Sequence, residues 1–130
     1  MKVKFDFVTN SSTTSFIGWG VYLSEENDIL KNEKLIKKCF ENYQSSKYAD
    51  KDLTIENFKN AYDILENIES DILNFSNGPY GESLMVAGSP SDMKDDQTLG
   101  EYKKQIISEL DEYGIKVDKL VYIEEAWEDC

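Results

Sequence analysis

Carboxylates are the side chains most able to do chemistry in this sequence. They concentrate in two segments, one with Asp92, Asp95 and Asp96 and the other running from Glu124 to Asp129. Clustered carboxylate oxygens are the ligands that Mg²⁺, Mn²⁺ and Ca²⁺ prefer. The spacing does not match an EF-hand loop, however, and acidic loops are commonly just solvated. We therefore predict no specific metal ion and no cofactor.

The absence of two residue types narrows the function further. The chain has 14 basic residues against 26 acidic ones and a net charge of −12, and all the basic residues are lysines. Because histidine is missing, serine–histidine and cysteine–histidine hydrolases are excluded. Because arginine is missing too, the chain has no bidentate fork for phosphate, and its negative field repels nucleic acid. We predict no catalytic residue and no direct nucleic-acid contact.

The acidic surplus favours a non-enzymatic protein that binds a basic protein surface. One version is a nucleic-acid mimic that occupies the groove of a defence nuclease. An aromatic anchor would add selectivity to the charge, and Trp127 is the candidate unless it folds back on the core. The predicted partner-binding residues are Glu124, Glu125, Trp127, Glu128, Asp129, Asp92, Asp95 and Asp96.

The alternative is a small metal-dependent hydrolase or nucleotide-handling enzyme that uses the same carboxylates. Both the binding hypothesis and the enzymatic hypothesis are strengthened if the two acidic segments converge. The two segments could converge, because each follows a predicted strand and we place those strands side by side.

The polar stretch from Thr9 to Ser15 is a further candidate contact. Hydroxyls and backbone amides at a hairpin tip can bind a ligand or partner. An ordinary flexible turn explains the same composition. The candidate residues are Asn10, Ser11, Ser12, Thr13 and Thr14.

Hydrophobic periodicity predicts the elements that must position these residues. It divides the chain into strands and helices in the order ββααβαβ. The strands are 3–7, 16–23, 84–87 and 120–123, and the helices are 24–43, 54–75 and 98–113. The prediction is a single α+β domain, 1–130, with a small, mostly antiparallel sheet of about four strands and three helices mainly on one face.

The helix predicted at 54–75 is the organising element of this scheme. Apolar residues recur there at steps of three and four over about six turns. Thr54 is a natural N-cap, and Asn77-Gly78-Pro79 is a stop signal. The inner face would consist of Ile55, Phe58, Tyr62, Leu65, Ile68, Ile72 and Phe75.

Local signals make three finer predictions. Thr98 and Glu101 form a capping box that opens the third helix, and Gly114 ends it. Gly18 and Gly20 share one face of the second strand, which indicates close packing or a bend there. Cys39 lies on an apolar helix face, where a buried, reduced thiol is expected.

The location of the chain is predicted from what its sequence lacks. No run approaches the ~18 apolar residues that cross a bilayer, and the N-terminus shows no secretory signal. We predict a cytoplasmic protein with no membrane contact.

Two regions of the chain, the N-terminal segment and the C-terminal third, resemble a known group. The run from Phe7 to Phe16, Phe-Val-Thr-Asn followed by hydroxyl residues, resembles the N-terminal signature of small uncharacterised proteins of clostridia-like bacteria and their phages. Thr13 and Thr14 stand where serines are usual. Gly88 to Thr98 and Glu124 to Trp127 are similar to the same group. The resemblance implies a phage-related or mobile-element provenance and no particular activity.

Overall fold

The computed structural model describes residues 13–77 and 84–128 of the chain, and it describes side chains within residues 16–77 and 84–125. In these ranges the fold is α+β. The strands are β1 (Thr13–Leu23), β2 (Leu73–Ser76), β3 (Leu84–Gly88) and β4 (Val121–Glu128), and the α-helices are α1 (Glu33–Gln44), α2 (Ala61–Glu66) and α3 (Leu99–Glu112). A π-helical segment spans Glu25–Leu30, and 3₁₀ turns span Ile55–Asn57 and Pro90–Asp92.

The four described strands form one open sheet in the order β2-β3-β1-β4. Every neighbouring pair is antiparallel. Trp19 of β1 lies opposite Gly88 of β3 on one side and opposite Tyr122 of β4 on the other. The predicted fold class is therefore confirmed, although the strand predicted at 3–7 lies outside the described residues.

The glycine face of β1 leaves no room for a side chain against the backbone of β3, in line with the close packing that the paired glycines indicated. A Cβ atom added to Gly20 would lie 2.0 Å from the carbonyl oxygen of Val86, and one added to Gly18 would lie 2.5 Å from that of Gly88. Real Cβ atoms do not approach backbone atoms so closely. Only glycine therefore fits at these two positions of the central strand.

The main core lies between one face of the sheet and the helices. α3 presents Tyr102, Ile106 and Leu110, spaced four residues apart, and all three are fully buried. Gly88 of β3 lies directly beneath Ile106, since a Cβ there would meet the Ile106 side chain at 2.7 Å. The helices and the sheet face contribute buried residues to one cluster, among them Leu35, Cys39, Ile64, Phe75 and Val86.

The opposite face of the sheet has a second, smaller apolar cluster. Its buried members are Phe16 of β1, Met85 and Ala87 of β3, and Ile123 of β4. No described helical residue belongs to it. The described helices therefore pack on one face, as predicted.

The predicted helix 54–75 is wrong. Only Ala61–Glu66 is α-helical, and Leu73–Ser76 is a strand paired with β3. The Asn60 side chain caps the short helix by accepting a hydrogen bond from Asp63 N at 3.2 Å. Further on, Ser70 Oγ accepts hydrogen bonds from the amides of Ile72 and Leu73, which turns the chain into β2. Side-chain bonds to the backbone thus replace the continuous helical ladder.

The predicted first helix is also divided. A π-helical segment ends at Leu30, and α1 starts after Asn32, whose Oδ1 accepts from Leu35 N at 3.1 Å. The same side chain donates to the carbonyl of Gly114 at 3.0 Å, which ties the start of α1 to the end of α3. This long-range bond gives Asn32 a structural role that helical periodicity does not reveal.

The predictions for α3 are confirmed at both ends. Thr98 Oγ1 accepts from Glu101 N at 3.1 Å, and Glu101 Oε1 accepts from Thr98 N at 2.8 Å. This reciprocal pair lowers the pKa of the Glu101 carboxyl. Gly114 has a φ of +79°, and Ile115 N donates to Leu110 O at 2.9 Å, which completes a Schellman stop.

Candidate partner-binding surface

The acidic residues from Glu124 to Glu128 are part of strand β4. β4 extends through Glu128, so the prediction that the last strand ends at Ile123 is wrong. Its partner β1 starts at Thr13, and the backbone of Thr14 lies opposite that of Trp127. Thr13 and Thr14 are therefore strand residues and not part of a loop. The candidates Asn10, Ser11, Ser12 and Asp129 lie outside the described residues.

Among the described strands, β2 and β4 lie at the two edges of the sheet. β2 is four residues long, and all four of its side chains are buried. β4 is eight residues long, and Val121, Tyr122 and Glu124 are exposed on it. β4 is thus the edge that offers described side chains to a partner.

One face of β4 has an aromatic corner beside a carboxylate. The rings of Trp19 and Tyr122 lie 4.9 Å apart with a 54° angle between their planes. Nζ of Lys103, from α3, lies 3.8 Å from the centre of the Trp19 ring, a cation–π contact. The Tyr122 side chain is 49% exposed, and Glu124 follows two residues later on the same face.

The charged groups described at this corner are the Glu124 carboxylate and the Lys103 ammonium. Partial desolvation raises the pKa of Tyr122, and the Glu124 carboxylate raises it further through its charge and a side-chain hydrogen bond with the phenol. The phenol therefore stays protonated well above neutral pH. An exposed ring and a carboxylate side by side can together accept a cationic side chain.

Glu125 points to the other face and is already engaged. The Tyr22 hydroxyl donates to Glu125 Oε2 at 2.7 Å. This hydrogen bond, with partial burial and the carboxylate charge, raises the pKa of Tyr22. The backbone of Glu125 lies opposite Phe16, six residues before Tyr22 on β1. The contact therefore spans the part of β1 that contains Gly18 and Gly20. Glu125 therefore helps to hold the sheet, while Glu124 remains exposed.

The structure places the other predicted acids elsewhere. Asp92 is half-buried in the 3₁₀ turn after β3, and Asp95 and Asp96 are exposed in the turn before α3. β3 and β4 are not neighbours, because β1 lies between them, so the reason for considering convergence was wrong. Within residues 16–77 and 84–125, no group of three or more acidic or cysteine side chains is arranged to hold a metal ion.

Two other surface features have mixed charge. Lys34, Lys37 and Lys38 of α1 line a shallow depression together with Glu41 and Glu112. A wider groove runs between the start of α1 and the segment after α3, and its lining includes Lys31, Lys116 and Lys119 with Asp28, Glu33 and Asp118. Because each lysine group is accompanied by carboxylates, neither feature presents a field of one sign.

Sequence reasoning missed Trp19, Tyr22, Lys103 and Tyr122 as members of this surface. The available signal was the alternation Tyr122, Glu124 against Val121, Ile123, which continues the strand period into the acidic run. The contact of Lys103 with Trp19 had no sequence signal, since it joins a helix to a strand far apart in the chain.

Comparisons of the chain with protein-family models, curated proteins and solved structures found no match. Among the described residues, no helix is long and apolar enough to span a bilayer.

Proposed function

We propose that this chain is a non-enzymatic, cytoplasmic binding protein that engages a basic protein surface through β4. The observation that supports this most directly is the position of Glu124–Glu128 on an edge strand of the described sheet, beside the Trp19–Tyr122 corner. A net charge of −12 would steer a basic partner toward the protein. The exposed aromatic ring would add a short-range contact that charge alone lacks.

The resemblance of Phe7–Phe16 suggests the setting for this function. A phage or mobile-element accessory protein with an acidic surface fits the role of an anti-defence factor. In one version, the carboxylates imitate the phosphates of a nucleic acid in the groove of a nuclease. This version requires a regular array of charge, and Glu124 with the following acids of β4 would be part of it.

The test compares two charge-reversed variants of equal net charge. The first reverses Glu124, Glu125 and Glu128 to Lys, and the second reverses the exposed Glu56, Glu66 and Glu112. Each set of three reversals adds six charge units, from −12 to −6. Basic proteins captured by the wild-type chain at low salt are identified, and their binding kinetics are then measured with each variant.

We expect the β4 variant to lose about tenfold in association rate and much of its salt dependence, because steering acts on encounter. The control variant should lose clearly less of its association rate and salt dependence. Trp127→Ala should mainly speed dissociation if Trp127 is an anchor. Equal losses in the two charge variants would show that only net charge matters, and would contradict a site on β4.

A separate measurement addresses the enzymatic alternative. Thermal melts with Mg²⁺, Mn²⁺ and Ca²⁺ should show no saturable stabilisation. Micromolar, saturable stabilisation that disappears in the Asp95→Asn, Asp96→Asn double variant would instead support metal-dependent chemistry.

A further inference from the structure

The outer edge of β4 lacks three features that often protect edge strands, although it has three glutamates. Such strands commonly have lysine, proline or a bulge that blocks pairing with another chain. β4 contains neither Lys nor Pro, and its register with β1 is continuous from Glu128 opposite Thr13 to Val121 opposite Gly20. No other described strand pairs with β4. Alternate N–H and C=O groups along this edge are therefore directed away from the sheet.

The side chains beside this edge favour a cation. Tyr122 and Glu124 project from the same face at successive positions of the strand's two-residue repeat. The Trp19 ring packs against the Tyr122 ring, and Lys103 shows that this aromatic corner accepts a positive charge from the chain itself. A guanidinium group can stack on an aromatic ring and bond a carboxylate at the same time.

We propose that β4 binds an extended, arginine-containing segment of a partner protein as an additional strand, with an arginine side chain held between Tyr122 and Glu124. The inference rests on the proposed function and specifies the form of the partner. Backbone hydrogen bonds along the edge supply affinity, and the Tyr122–Glu124 site selects the cationic residue.

A second copy of this chain is a poorer occupant of the same edge. Antiparallel self-pairing over the full strand would set Glu124 opposite Glu125, and symmetry would repeat that pair. Like charges directly opposite each other destabilise a strand pair. A basic strand would instead place opposite charges across the new ladder.

The probe is a capped synthetic peptide in which arginine alternates with valine and threonine. Its binding to the full chain is followed by amide chemical shifts at low ionic strength. Two matched peptides separate the contribution of the arginine charge from that of backbone pairing. One replaces arginine with neutral citrulline, and the other keeps arginine but has N-methyl groups on alternate backbone amides, which block strand addition.

We expect saturable shifts along Val121–Glu125, with binding about tenfold weaker for the citrulline and N-methylated peptides. Glu124→Gln and Tyr122→Leu should each weaken binding of the arginine peptide about fivefold. The controls Glu112→Gln and Tyr48→Leu, both at exposed sites outside β4, should leave it unchanged. Unchanged melting temperatures show that each variant is folded.

Several results would overturn the inference. Equal binding of the N-methylated and unmodified peptides would exclude strand addition, while charge-driven partner binding by β4 would stand. Shifts centred outside β4, or a peptide-independent dimer that shifts the β4 amides, would also exclude it. Loss of partner binding in the two equal-charge variants to the same extent would instead contradict the proposed function itself.

Discussion

Adjacent residues of β4 have different tasks. Glu125 accepts a hydrogen bond from Tyr22 across the sheet, whereas Glu124 is exposed next to Tyr122. Strand geometry alone sends neighbouring side chains to opposite faces. The variant with Glu124, Glu125 and Glu128 reversed therefore combines loss of an internal contact with loss of surface charge, and the single variant Glu124→Lys separates the two.

Gly20 offers a residue-level test of the sheet. Replacing it with Ala should lower the free energy of unfolding by about 3 kcal/mol or more, because the new Cβ would collide with backbone atoms of Val86 and Ala87 that cannot move without disturbing β3. Denaturant melts measure this loss.

Gly100 is the matched control for Gly20. A Cβ there would meet nothing closer than 4.0 Å, and the position lies in the first turn of α3. Gly100→Ala should be neutral or stabilise by up to about 1 kcal/mol, because alanine favours the helix. A loss below about 1 kcal/mol for Gly20→Ala would show that β1 and β3 lie further apart.

At the scale of elements, the segment 54–75 shows how pairing overrides periodicity. Ile55 and Tyr62, assigned to the inner face of a long helix, are 39% and 44% exposed. Ile64, which that pattern did not select, is fully buried in α2. Phe75 is buried as predicted, but on a strand. Short apolar runs fit helix and strand alike, and the contact with β3 decides between them.

This segment gives a prediction about stability. Leu65→Ala and Ile64→Ala should each cost about 2–5 kcal/mol, because both side chains are removed from a closed core. Ile55→Ala should cost less than about 1 kcal/mol, because Ile55 is partly exposed on the 3₁₀ turn. Chemical denaturation of the three variants measures the difference.

The reverse ranking of these three stability losses would support the predicted helix 54–75. If Ile55→Ala costs as much as Leu65→Ala while Ile64→Ala is mild, then the inner face follows the six-turn pattern and α2 is misplaced. Circular dichroism of the same variants checks that none has lost its helical content before unfolding.

At the scale of the whole molecule, the net charge of −12 lowers the stability of the folded state. Like charges repel one another in the compact state, and dissolved salt screens that repulsion. The melting temperature should therefore rise as NaCl increases from about 0.01 to 0.15 M, where the screening length shortens from about 30 to 8 Å. Differential scanning calorimetry measures the shift.

The variant with Glu56, Glu66 and Glu112 reversed to Lys is the control, because its net charge is halved without a change on β4. Its melting temperature should respond more weakly to salt. A wild-type melting temperature that falls with NaCl would mean that specific ion pairs outweigh general repulsion.

The sequence by itself determined the features that depend on neighbouring residues. The capping box at Thr98 and Glu101, the stop at Gly114, the period of α3 and the glycine-lined face of β1 are all set within a few positions of the chain. The missing histidine excludes catalysis by a histidine of this sequence. Local hydrogen bonds and side-chain periods are readable because their partners lie close in sequence.

Only the tertiary structure decided the rest. β1 lies between β3 and β4, β2 replaces the end of a predicted helix, and the acidic run is an edge strand beside Trp19 and Lys103. Each of these facts depends on strand pairing or packing between distant segments, for which the sequence offers several solutions of similar local quality. The candidate surface belongs to this second group, because its aromatic corner forms only when β1, β4 and α3 come together.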